Sequence, residues 1–246
     1  MRLKPAPLIS MLGVMATVVV LIVAIYAVLE TLPNFQIPIQ DSSWIVADLV
    51  HIPQFLIPFA VICWITKGRP GEYGFNLRQL PPLFTHGRML GLGILFGLLM
   101  SLRYIPSIVR GFPVEIPQPV NLGSILGNLT FQWVVVGVAE ETMFRGLIQT
   151  YLTNHLSGHV EMLGHDLHIG TVIGAVFWGM FHFINALVMP IGSVIFYVVL
   201  TTAAGLGMGY AYQKTGSLLT TILVHNTMFG VPLSVGYVLY WLQSVS

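Results

Sequence analysis

Charge is what this sequence has least of. Only 8% of its 246 residues are Asp, Glu, Lys or Arg, against 55% hydrophobic. A soluble domain carries about 25% charged residues, so a water-facing surface cannot be covered here and the bilayer must be the solvent. A mean hydropathy of +0.83 agrees. Cysteine is almost absent as well. The lone Cys63 excludes an internal disulfide and a cysteine-based metal site, and in its apolar run it reads as a packing residue. An excess of charge of one sign is also missing. The formal net charge of +1 gives no reason to expect nucleic acid as a partner.

What is there is a series of apolar runs of about 20 residues, the length a helix needs to cross roughly 30 Å of hydrocarbon. The first extends from about Leu8 to Glu30, after a start that carries Arg2 and Lys4. It is too long for a signal-peptide core and lacks a small-residue cleavage site, so it reads as a retained span. A connection with Pro33, Pro38 and Asp41 leads to a second run, about Trp44 to Thr66. The polar stretch Lys67 to Arg88, with turn formers Gly68, Pro70, Gly71, Pro81 and Pro82, reads as a loop at the water interface. Further runs follow at about Met89 to Ser107, Leu122 to Asn154, His168 to Val188, Ile191 to Gln213 and Leu218 to Leu242, with a loop holding Pro113, Pro117 and Pro119 after the third. The expected fold is all-α, a polytopic transmembrane helix bundle of about seven spans forming one domain over residues 1–246. Glycines at 205, 207 and 209 point to close helix packing in the sixth span.

Cytoplasmic loops retain Lys and Arg. An inside N-terminus puts Arg2, Lys4, Lys67, Arg69, Arg78, Arg88 and Lys214 on the cytoplasmic side, and only Arg103 and Arg110 toward the other. The expected state is an integral, multi-pass protein with a cytoplasmic N-terminus, in the plasma membrane of a prokaryote.

Three charges stand where the membrane makes them costly: Glu140, Glu141 and Arg145, behind the apolar run Trp133 to Gly137. Each ionised group at helix centre costs about 2.5 to 3.5 kcal/mol on insertion scales. Glu141 and Arg145 are i,i+4 and pair on one face. Glu140 is turned about 100° away, so one carboxylate remains available for other work. The plainer alternative is that all three tie the bundle together.

His182 follows Phe177 and Trp178 in the next span, and His225 with Asn226 sits in an apolar stretch of the last. Each alone could be an interior group satisfied by its neighbours. Three spans that each supply a titratable or amide group at similar depth match the way helix-bundle sites are assembled. A buried carboxylate with an imidazole can deprotonate water, and imidazole and amide donors can stabilise an oxyanion. These parts suit peptide hydrolysis by activated water. Two histidines and a carboxylate also suit Zn²⁺ with an open position, although no HExxH supports it; the metal question stays open and Zn²⁺ is the candidate cofactor.

The run from Glu140-Glu141 to Arg145-Gly146 resembles the EExxxR motif of the CAAX-prenyl-protease and bacteriocin-processing proteins, the type II CAAX endopeptidases and their bacterial relatives. That family's second motif is FxxxH; here Trp178 precedes His182 by four, with Phe177 beside it. Its third is a histidine often followed four residues later by Asn or Asp. His225 fits, but position 229 is Phe, and Asn226 is the candidate for the missing amide. Tyr73 to Arg78 also resembles the family's short segment upstream. The resemblance implies a multi-span protease with its catalytic core at about 122–231. It implies that Glu140 and His182 activate water, that His225 helps hold the oxyanion, that Glu141 and Arg145 support the geometry, and that the substrate is a membrane-associated peptide or protein.

Two rival readings use the same residues. One is a non-catalytic scaffold or immunity protein, to which Phe229 gives weight; the other is a proton-coupled carrier, since intramembrane Glu and His also build relays. The His-rich stretch with His155, His159, Glu161, His165, Asp166 and His168 reads as an exposed polar connector, with metal binding as the alternative.

Overall fold

The computed structural model describes residues 5–31, 44–77, 80–117, 120–187 and 189–245. Arg2, Lys4, Pro33, Pro38, Asp41, Arg78, Pro119 and Val188, named above, lie outside them. Seven helices are long and apolar enough to cross a membrane: α1 (Pro5–Thr31), α2 (Trp44–Ile65), α3 (His86–Arg110), α4 (Leu122–His155), α5 (Ile169–Ala186), α6 (Ile191–Thr215) and α7 (Leu218–Val245). The expected all-α polytopic bundle is the observed one, and the expected spans differ from these by only a few residues at each end. Apolar side chains such as Ile9, Val20, Phe96 and Val199 are exposed, which in a bilayer is the favourable arrangement.

Helix α4 is the axis of the assembly. Its 34 residues would reach about 50 Å at about 1.5 Å per residue, well beyond the hydrocarbon, and α2, α5 and α7 all pack on its middle. Two stretches of it, Phe131–Val135 and Thr142–Gln149, are wound as π-helix. Such turns displace the backbone ladder and are frequent at functional sites. Every residue of Thr142–Gln149 is buried, so this segment is enclosed by protein and not by lipid. Polar contacts fix its neighbours: Gln149 donates through Nε2 to Thr171 Oγ1 of α5 at 3.0 Å and to the Gly209 carbonyl of α6 at 2.8 Å. Gly209 and Gly205 make that close approach, since a Cβ on Gly209 would stand 3.0 Å from Thr171 and one on Gly205 2.8 Å from Trp178. Gly207 meets nothing within 4 Å and takes no part in it.

The connector between α4 and α5 is more ordered than its composition suggests. It forms an antiparallel hairpin of β1 (His159–Met162) and β2 (His165–His168), pairing His159 with His168 and Met162 with His165. Leu163 and Gly164, both at positive φ (51° and 74°), supply the tight turn that suits the right-handed twist of paired strands. His159 Nδ1 meets Asp166 Oδ2 across the pair at 2.9 Å. Gln213 of α6 anchors the hairpin, accepting from the His168 amide and donating to the Asp166 carbonyl, both at 3.0 Å.

The polar segment after α2 docks at the same end. Asn76 donates to the carbonyls of Gly71 and Gly216, each at 2.9 Å, the Leu218 amide donates to the Gly74 carbonyl at 3.0 Å, and Ser217 Oγ donates to the Asn76 carbonyl at 3.2 Å. Gly74 has φ +94°, and any side chain there would collide with Tyr212 and Leu218. Lys67, Arg69 and Lys214 are thereby gathered at one end of the bundle, as the charge pattern requires.

Candidate active site

The two adjacent glutamates of α4 are turned to different partners. Glu141 is fully buried, and its Oε1 accepts from Arg145 Nη1 at 2.9 Å on its own helix and contacts His225 Nδ1 of α7 at 2.8 Å. A carboxylate only accepts, so Nδ1 of His225 carries a proton and donates it. Arg145 is 2% exposed and also reaches the Gly205 carbonyl of α6 at 3.4 Å. One carboxylate oxygen thus joins α4 to α7, and the arginine joins α4 to α6. The i,i+4 spacing predicts the Glu141–Arg145 pair; the contribution of His225 comes only from the approach of α7.

Glu140 is offset around the helix and meets α5. Its Oε2 accepts from Trp178 Nε1 at 2.6 Å. Trp178, 1% exposed, is the hub on which the separate helices converge. His182 lies edge to its ring with centroids 5.6 Å apart, His225 is tilted against it at 5.6 Å, and the Arg145 guanidinium lies 4.3 Å from its centroid. That last placement is favourable for a cation over an indole face. Phe177 and Trp178 first attract notice as aromatics near a histidine; the indole N–H on the carboxylate is a role for Trp178 that spacing does not reveal.

His182 closes the regular part of α5, where the chain tightens into the short turn His182–Leu187. Its Nδ1 lies 2.8 Å from the Trp178 carbonyl oxygen. That oxygen is an acceptor, so Nδ1–H donates to it and Nε2 is left with its lone pair. Tyr197 of α6 stands against the other side of the imidazole, centroids 5.3 Å apart. Glu140, His182 and His225 thus each contact Trp178.

Asn226 is engaged elsewhere. Its Oδ1 accepts from the Gly137 amide at 2.8 Å and its Nδ2 donates to the Val134 carbonyl at 3.2 Å. These backbone groups lie at and just after the first π turn of α4, where the displaced ladder calls for outside partners. Gly137 is glycine because a Cβ there would overlap Asn226 Oδ1. Phe229, at the position expected to carry Asn or Asp, packs its ring on His225 with centroids 5.3 Å apart.

One neighbour of Glu140 comes from a span the sequence reading left without a role. His51 of α2 places Nε2 3.6 Å from Glu140 Oε1. A histidine among apolar residues was the available signal, and nothing in its local pattern distinguishes it from a packing residue.

As for a metal, among the described residues no three His, Cys, Asp or Glu side chains stand together at ligating spacing. The carboxylate nearest His225 is already paired with an arginine. The donor set does not fit a three-ligand Zn²⁺ site. The His-rich hairpin likewise assembles pairs, His159 with Asp166 and His165 with Tyr210.

No curated protein and no solved structure matches the chain. Residues 122–229 match the family model Type II CAAX prenyl endopeptidase Rce1-like, the family that the EExxxR motif of α4 resembles.

Proposed function

We propose that this chain is an intramembrane endopeptidase, hydrolysing a peptide bond of a membrane-associated protein or peptide with water activated through Glu140 and His182. The observation that carries the reading is the convergence of Glu140, His182 and His225 on Trp178, together with the match to an endopeptidase family over the same segment. In this reading the Glu140 carboxylate takes a proton from water as the oxygen attacks the scissile carbonyl. The proton passes to the leaving amine as the tetrahedral intermediate collapses. His182, with its Nδ1–H held by the Trp178 carbonyl, offers Nε2 to the same water. His225 helps hold the developing oxyanion through Nε2–H, a role that calls for the doubly protonated ring, since Nδ1–H is already given to Glu141. Glu141 and Arg145 keep α4, α6 and α7 in register, which is the support such a geometry needs. No step is routed through a metal.

The functional core is residues 122–231, with the N-terminus in the cytoplasm and the charged end formed by Lys67, Arg69 and Lys214 on that side, in the plasma membrane of a prokaryote. The second reading, a non-catalytic membrane scaffold or immunity protein, is favoured by Phe229 lying on His225. Comparative membrane proteomics of wild type and Glu140→Ala decides between them. Peptides cut only by the wild type are expected, and a phenotype retained in Glu140→Ala with no differential cleavage overturns the protease reading.

A further inference from the structure

The matched segment does not contain every group that reaches Glu140. His51, two helices upstream on α2, faces Oε1 while Trp178 of α5 holds Oε2. Its ring is constrained in three ways. Nδ1 lies 2.7 Å from the Ala47 carbonyl oxygen, so Nδ1–H donates there and Nε2 is the nitrogen presented to the carboxylate, to which it donates as the doubly protonated imidazolium. The edge of Phe131 meets the ring at 4.9 Å and 77°, fixing its tilt. Glu140 stands at the remaining corner, at ion-pair range and slightly longer than a direct hydrogen bond, a separation common in catalytic pairs before substrate tightens them.

The surroundings make packing a poor explanation for a histidine here. The same ring borders a cleft of about 300 Å³ between α2 and α4, whose other lining residues, among them Ile52, Phe55, Leu56, Val135 and Val138, are apolar. A polar ring on such a wall carries a desolvation cost that leucine would avoid. Asp48, one turn earlier on α2, is its other charged neighbour; Nε2 nevertheless faces Glu140.

We propose that His51 is a positioning residue for Glu140. Spans two and five hold the carboxylate from opposite oxygens, fixing its plane toward the reacting water, so the site requires α2 as well as α4, α5 and α7. The inference deepens the protease reading and, for its kinetic part, rests on it.

The test uses the full chain in liposomes, with a membrane-associated peptide probe that wild type cuts, and Glu140→Ala is assayed on the same probe in parallel. His51→Phe keeps a ring against Phe131 but has no nitrogen, and His51→Gln puts an amide nitrogen near the place of Nε2. The expected result is a 10- to 100-fold lower kcat with unchanged KM in His51→Phe, roughly the loss of one hydrogen bond to a charged group, and recovery of about tenfold or more in His51→Gln. Wild-type kcat in His51→Phe would reduce the residue to packing and overturn the proposal. Undiminished cleavage by Glu140→Ala would instead overturn the protease reading, so the two failures are distinct. A substrate-free arm compares melting temperatures of wild type, His51→Phe, Glu140→Gln and the double variant. Coupling makes the double shift differ from the sum of the single shifts; strict additivity overturns the proposal.

Discussion

Trp178 donates its indole N–H to Glu140 at 2.6 Å, and the same ring touches His182, His225 and Arg145. A tryptophan at this position does what the phenylalanine of the family motif cannot, since only the indole has a donor. It orients the carboxylate directly while serving as the surface on which the helices meet.

Replacing Trp178 with Phe separates these two roles. The ring contacts persist and the donor is lost. A hydrogen bond to a charged group is worth about 1.5 to 3 kcal/mol, so cleavage is expected to fall about 10- to 100-fold, and the melting temperature to drop by no more than the loss of that one bond. Cleavage at the wild-type rate would show that the N–H does not orient Glu140.

The Glu141–Arg145–His225 cluster should behave as a buried ionic network. Removing one charge leaves its partner stranded, at a cost of about 3 to 5 kcal/mol, so Glu141→Leu is expected to lower the thermal midpoint sharply. The double variant Glu141→Leu/Arg145→Met has no stranded charge. It should regain much of the stability without regaining cleavage; a double variant less stable than either single change would mean that the pair acts independently.

Asn226 is expected to matter for folding through the backbone of α4. Asn226→Ala strands the buried Gly137 amide and takes a donor from the Val134 carbonyl, and an unsatisfied buried group costs about 1 to 3 kcal/mol. Thermal unfolding in detergent checks this, and a midpoint equal to wild type would refute it.

The hairpin carries a pH-sensitive cap. His168 is the N-cap of α5, its Nδ1 accepting from the Gly170 amide at 3.0 Å, which requires the neutral ring. Burial, then the neighbouring His159, holds its imidazole below the ordinary 6.5. The neutral form belongs to the folded state, so its contribution is complete above 6.5 and is lost as pH falls through the lower folded value. Hydrogen exchange at Gly170, corrected for intrinsic pH dependence, should show protection falling over that interval. His168→Asn, a good cap that does not titrate, should abolish the effect. Equal pH dependence in both proteins would exclude His168 as the cause.

The seven spans, the gathering of basic residues at one end and the Glu141–Arg145 pair were all legible in the linear sequence. Hydropathy is a sum along the chain, and an i,i+4 pair is settled by the pitch of a single helix. The family resemblance was legible for the related reason that its motif lies within one span. Glu140 could be read as the unpaired carboxylate for the same cause, but not who would hold it. That Trp178 and His51 face its two oxygens, that His225 ends on Glu141 and that Asn226 serves the backbone of α4 depend on the depth and rotation at which one helix meets another. The hairpin likewise required a view of Gln213 on α6, since polar composition alone suggests a simple connector. Those relations are set by packing between distant segments, by π turns and close-approach glycines whose effect appears only when the neighbouring helix is in place.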